Sequence, residues 1–154
     1  MKILIAIDNS ESSKALIDRT IMLLRNALGS VCLLHVAAPD PDFVGYTVDT
    51  PVMRDQIAKQ FHVEHLQVQE MANQLRAQGV EAKALLIQGE TGKTIVDHAQ
   101  RLMVDLIVVG SSKHGAFYHF LLGDTIQEVL AESGKPVLVM PVHDGNETTS
   151  NDVP

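Results

Sequence analysis

Asp8 closes the first apolar run of the chain, Ile3-Leu4-Ile5-Ala6-Ile7, and Asn9 and Ser10 follow it at once. If the first strand is central in an open parallel sheet, these residues flank the crevice where ligands bind. Asn9 or Ser10 can cap the helix that comes next. A second constellation, Gly110-Ser111-Ser112-Lys113, follows another apolar run, and Gly123-Asp124-Thr125 opens a helical stretch beyond it. Gly110 permits close backbone approach, and helix N-termini present free N–H groups that attract phosphate. Ordinary turn chemistry would use the same two glycines.

Three other constellations carry weaker chemistry. Gly89-Glu90-Thr91-Gly92-Lys93-Thr94 lies between a strand and a helix, where a phosphate loop would sit. The full pattern needs glycine at position 87, which is Ile87, so the segment reads as a turn and helix start. His114, His119 and Asp124 share one stretch, but no histidine pair spaced on a regular element and no cysteine supports a metal site. Ser112 near His114 has neither an orienting acid nor the Gly-x-Ser-x-Gly frame of a nucleophile elbow. Nothing here commits the chain to catalysis.

The 154 residues fit one domain able to bury a core without staples. Twelve Lys+Arg against nineteen Asp+Glu leave a formal net charge of −7, with no basic block. A nucleic-acid groove or an anionic membrane surface is therefore excluded as the expected partner. Cys32, the only cysteine, lies in an apolar run and reads as a buried, inert thiol. No stretch approaches a membrane span or a signal-peptide core, which predicts a soluble, cytoplasmic protein. Asn146-Glu147-Thr148 matches a glycosylation sequon but means little without a secretory signal.

Strands are predicted at 3–7, 31–36, 82–87, 106–109 and 137–140. Most do not alternate polar with apolar residues, which suits strands covered on both faces of a parallel sheet. Helical segments separate them. The first ends near Gly29, and the second runs from Pro51 to about Gln78, stopped by Gly79. Its apolar stripe is Ile57, Phe61, Val68, Ala72 and Leu75, with His65 at the boundary. The third carries Ile95, Val96, Ala99, Leu102 and Met103. Asp124 caps a short fourth helix that ends before Gly134-Lys135-Pro136. Met53, Met71 and Met103 read as packing residues. Alternation of strand and helix with right-handed crossovers makes a three-layer α/β/α domain, residues 1–143. The polar segment 144–154 reads as a disordered tail. Two long connections, 37–50 and 111–122, hold five of the six aromatics: Phe43, Tyr46, Phe117, Tyr118 and Phe120. These either cover the sheet ends or form a ligand lid or subunit contact.

Taken in order, several pieces resemble the universal stress proteins, over residues 2–142. They are Lys2-Ile-Leu-Ile-Ala-Ile-Asp8 with Ser10 and Glu11, Leu33-Leu34-His35-Val36, Gly89-Glu90, and Asp105-Leu-Ile-Val-Val-Gly110. Leu121-Leu122-Gly123, Val129-Leu130 and Lys135-Pro136-Val137-Leu138-Val139 complete the set. The resemblance implies an open parallel five-stranded sheet of flavodoxin-like order 3-2-1-4-5 and a homodimer through the C-terminal strand. One branch of the family binds ATP and another does not. By the resemblance, Asp8 contacts the ribose and the Val36 backbone meets the adenine. The segment Gly110, Ser111, Ser112, Lys113 with Gly123, Asp124, Thr125 would then hold the phosphates.

Two positions depart from the ATP-binding pattern, which is Gly-x-x-Gly, nine residues, then Gly followed by Ser or Thr. Lys113 stands for the second glycine and Asp124 for the Ser/Thr. Lysine resists a left-handed backbone, although its ammonium can reach a phosphate as a point charge. Asp124 brings a negative charge toward a triphosphate, a repulsion of about 4 kcal/mol at ~4 Å and an effective dielectric of ~20. A bridging Mg²⁺ would invert that sign. Two readings therefore stand side by side. One is a regulatory ATP-binding module with a variant phosphate loop and at most slow hydrolysis. The other is a dimeric stress-response interaction protein that binds no nucleotide.

Overall fold

A computed structural model describes residues 1–37, 51–112 and 123–142. The order is β1 (Lys2–Ile7), α1 (Glu11–Leu24), β2 (Ser30–Ala37), α2 (Pro51–Ala77), β3 (Glu81–Gln88), α3 (Thr91–Arg101), β4 (Leu106–Ser112), α4 (Gly123–Glu132) and β5 (Val137–Val142). All pairings are parallel, in the spatial order β3-β2-β1-β4-β5. Ile5 lies opposite Leu33 on one side and Val108 on the other, so β1 is the centre of the sheet.

Two cores explain the unbroken apolar strands. Successive side chains of a strand point to opposite faces. Ile3, Ile5 and Ile7 of β1 face Leu16 and Ile17 of α1 and Val68, Ala72 and Leu75 of α2. Leu4, Leu34, Ile107 and Val109 face Ile95, Val96 and Ala99 of α3 and Val129 of α4. The sheet is thus covered on both sides, as the sequence pattern requires. Cys32 is buried, and burial pushes its thiol up to about 11 against the pull of Lys2 and Lys83, so it is inert.

Several local expectations are corrected. α1 stops at Leu24 rather than near Gly29, because Ala27 N–H turns back to the Leu24 carbonyl and Gly29 N–H bonds Met1 O to start β2. α2 does end where Gly79 takes φ +84°. α3 closes at Arg101, and Met103 adopts φ +50° with 76% of its surface exposed, so it is a turn residue and not a packing one. Met53 is exposed too, whereas Met71 packs against the first core. His65 is exposed beside Gln69, consistent with a boundary position. α4 begins one residue early, which puts Asp124 inside the first turn, where it complements the helix dipole, rather than at the cap. The connections 38–50 and 113–122, with Lys113, His114, His119 and the five loop aromatics, lie outside the described residues, as does the tail 144–154. Among the described residues no helix is long and apolar enough to cross a membrane.

α2 is unusually long for its partner strand. At ~1.5 Å per residue its 27 residues span about 40 Å, against about 26 Å for the eight residues of β3. Only Val68, Ala72 and Leu75 are buried, so the first half of α2 overhangs the carboxyl ends of the strands.

Ile5→Ala should cost about 2–5 kcal/mol in urea unfolding, because Ile5 is fully buried at the sheet centre. Met103→Ala should cost less than about 0.5 kcal/mol, as expected for an exposed side chain. Equal losses would reverse the assignment of Met103.

Candidate functional site

Strand order reverses at β1, whose neighbours β2 and β4 lead to helices on opposite faces. Such a switch point leaves a crevice beyond the carboxyl ends of the strands. A pocket of about 630 Å³, its open mouth included, occupies this place. Ile7 from β1 and Asp8 just after it, Ser12, Ser13 and Leu16 from α1, Gly110 from β4 and Val142 from β5 form one side. Thr91 and Ile95 of α3 with Thr125 and Ile126 of α4 form the other. Gly110 has no room to spare, since a Cβ there would come within 3.3 Å of Leu16 Cδ2 and 3.4 Å of Val142 Cγ2.

The turn after β1 fixes Asp8. Asn9 takes φ +61°, a left-handed conformation that asparagine tolerates better than most residues. Ser10 stands at the N-cap position of α1, yet its side chain makes no cap bond. Its hydroxyl donates to Asp8 Oδ1 at 2.5 Å instead. Ser10 N–H also donates to Oδ1 at 3.0 Å, and the Ser13 hydroxyl at 2.7 Å. Asp8 N–H in turn donates to Ser13 Oγ at 3.1 Å. Burial pushes the Asp8 carboxyl up, but the Ser10 and Ser13 hydrogen bonds outweigh it and hold the pKa below its ordinary 3.8.

Counting protons shows what this wall can bind. Ser10 has one hydroxyl proton, and it goes to Asp8. In the 2.8 Å contact between Ser10 Oγ and Ser12 Oγ, Ser12 must therefore be the donor. The protons of Ser12 and Ser13 are both taken within the cluster, so the side chains of the α1 wall are left with acceptors: Asp8 Oδ2 and the lone pairs of Ser12. Such a wall suits ligand hydroxyls. The opposite wall carries the Thr91 and Thr125 hydroxyls at the starts of α3 and α4, where free N–H groups and the positive dipole end suit a phosphate.

Of the residues singled out from the sequence, Asp8, Gly110 and Thr125 line this pocket. Val36 is half-buried at the end of β2 against the second core, and Ser111 continues β4 without lining the pocket. Ser112 ends β4. Gly123 and Asp124 form the first turn of α4 outside the lining, and a Cβ on Gly123 would meet nothing within 4 Å. Lys113 lies outside the described residues. Ser12, Ser13, Thr91, Ile126 and Val142 were missed; Ser12 and Ser13 had a signal, because hydroxyls in the first helical turn beside Asp8 are placed to bind it. Lys93, the alternative phosphate-loop lysine, is exposed and paired with Glu90, away from the pocket. No cluster of three metal-ligating side chains occurs among the described residues.

The fold and the position of its crevice define a doubly wound, flavodoxin-like α/β protein. Comparison with known proteins narrows the class. The sequence model of the Universal stress protein family matches residues 1–141. Universal stress protein YxiE of Bacillus subtilis (strain 168) is 29% identical over 144 residues, covering 90% of this chain and 97% of that protein. A universal stress protein solved in complex with cAMP superposes with a TM-score of 0.61 at 18% identity, over 91% of this chain and 95% of its own. The universal stress protein from Archaeoglobus fulgidus in complex with dAMP gives 0.58 at 20% identity, over 90% and 96%. The chain belongs to the universal stress protein family.

Asp8→Asn should lower stability at neutral pH by removing the charged acceptor of three hydrogen bonds. A depressed native pKa makes the carboxylate stabilising above the unfolded value of about 3.9, with the benefit lost as pH falls through the native value. The gap between variant and wild type in urea unfolding should be full at pH 7 and shrink steadily below about pH 4. A gap of constant size down to about pH 2.5 would refute this role for the charge.

Proposed function

We propose that this chain is a regulatory, cytoplasmic adenine-nucleotide-binding module that holds ATP without rapid turnover. The observation that carries the reading is the division of the pocket into an acceptor wall at Asp8 and a wall of hydroxyls and helix N-termini at Thr91 and Thr125. The ribose would sit on Asp8 Oδ2, and the phosphates toward Gly110 and the start of α4. The adenine would lie near the Val36 backbone. Family members solved with cAMP and dAMP support an adenine nucleotide as the ligand class. Ser111, Ser112, Lys113, Gly123 and Asp124 complete the phosphate side in this reading, with Mg²⁺ as companion ion.

One observation favours the second reading, a dimeric interaction protein without nucleotide. Among the described residues the pocket lining contains Asp8 and no Lys or Arg. Thermal unfolding with and without millimolar ATP·Mg²⁺ separates the two. Ligand at 100 times its Kd stabilises by about 2.7 kcal/mol, which at ~2–4 °C per kcal/mol raises Tm by about 5–11 °C. The double variant Lys113→Gly, Asp124→Ser should bind more tightly still. No rise in either protein, and no nucleotide released on denaturation, overturns the nucleotide reading.

We further propose a homodimer through β5. That strand is at the sheet edge, and Val139 on it is 39% exposed. An apolar edge invites pairing with a second copy across a two-fold axis. Val139→Glu should shift the sedimentation coefficient toward the monomer, and a folded variant that sediments unchanged would exclude this interface.

A further inference from the structure

The stripe by which α2 packs on the sheet is Val68, Ala72 and Leu75, and one turn toward its N-terminus the same face carries Glu64. A carboxylate at that place faces a buried ring. His35 of β2 lies opposite Ile7 in the sheet, and its side chain is 11% exposed. Its Nδ1 is 2.9 Å from Ile7 O, and its Nε2 is 3.4 Å from Glu64 Oε2. The carbonyl can only accept, so Nδ1 carries a proton. Nε2 is thereby turned toward α2, where Glu64 Oε2 is its nearest charged neighbour. Glu64 Oε1 is itself held by Gln60 Nε2 at 3.1 Å.

We propose that His35 and Glu64 are positioning residues of the Asp8 site, fastening the overhanging half of α2 to the peptide that aims the Asp8 carboxylate. Ile7 O is the carbonyl immediately before Asp8, and the left-handed turn at Asn9 follows. A pull on that carbonyl rotates the Ile7–Asp8 peptide and moves Asp8 Oδ2 relative to the rest of the pocket. N-terminal to Glu64 no residue of α2 is buried, so this polar rung closes the buried stripe. The role in ligand binding rests on the adenine-nucleotide reading; the mechanical link does not.

The test uses ¹⁵N-labelled full-length protein in four forms: wild type, Glu64→Ala, Glu64→Gln and His35→Asn. Amide shifts are recorded for Asp8, Asn9 and Ser10, and affinity for ATP·Mg²⁺ is measured by calorimetry. Glu64→Ala should move the three amides although Glu64 does not line the pocket, and weaken nucleotide binding about three- to tenfold, the size of one hydrogen bond's net contribution. Glu64→Gln keeps a polar partner for Nε2 and should restore part of both effects. His35→Asn keeps a donor toward Ile7 O and should retain binding better than loss of the whole rung predicts. Wild-type protein that binds no nucleotide, with the three amides still moving in Glu64→Ala, sinks the functional reading and leaves the mechanical link standing. Amide shifts confined to α2, or an unaltered affinity in Glu64→Ala where wild type binds, overturn the proposal. So does a failure of Glu64→Gln to recover either effect.

Discussion

A strand at the middle of a parallel sheet has no free edge and no free face, and β1 meets this constraint. It pairs with β2 from Lys2 to Ile7 and with β4 from Ile3 to Ile5, and its side chains alternate between two cores. The one place where β1 can present anything to solvent is its carboxyl end. The chain puts Asp8 there and spends the next five residues on holding its carboxylate. Strand order reverses at this same point, so the crevice and the charged group coincide for a topological reason rather than a local one.

The helices around the crevice divide its chemistry. α1 starts beside Asp8, and an anion would ordinarily be drawn to its N–H groups. Asp8 is already that anion. With its Oδ1 filled by Ser10 and Ser13, the serine protons are spent, and the α1 wall repels a second negative charge while welcoming hydroxyls. Glu90 at the cap of α3, Glu128 against Gly92 and Asp124 in the first turn of α4 stay outside the pocket lining, where Thr91 and Thr125 supply the hydroxyls of the opposite wall. A single acidic residue thereby sets the polarity of the crevice, and with it the orientation of a nucleotide in the proposed function.

The layers were legible in the sequence because double-sided burial leaves a plain mark, the unbroken runs 3–7, 31–36 and 106–109. The order β3-β2-β1-β4-β5 was not contained in those runs; it came from the resemblance to the family and is what the structure has. Asp8 and Gly110 were legible as a strand-end acid and a small residue beside a turn. Ser12 and Ser13 escaped because a helix's first turn looks alike whether its hydroxyls cap the helix or bind the preceding acid. The same ambiguity misplaced Ser10, whose proton goes to the stronger acceptor, a carboxylate, rather than to the cap. Met103 misled for a related reason: its spacing continues the α3 stripe, but the helix closes two residues earlier and the backbone turns left-handed. Thr91 and Val142 reach the pocket only through the fold, and no local pattern announces them.

α2 shows how a departure from simple packing becomes informative. Burial of Val68, Ala72 and Leu75 alone would hold a helix of three or four turns. Among the described residues the first half of α2 buries no side chain fully, although Ile57 and Phe61 are partly covered beside Gln88 at the end of β3. Charged and polar pairs along the helix, such as Lys59 with Asp55 and Gln60 with Glu64, support helicity but give no direction relative to the sheet. Direction needs a contact off the helix. Among the described residues the contact one turn beyond the buried stripe is Glu64 with His35, and it ends on the backbone of the strand that carries Asp8. The overhanging helix is therefore tied, through one ring, to the central strand.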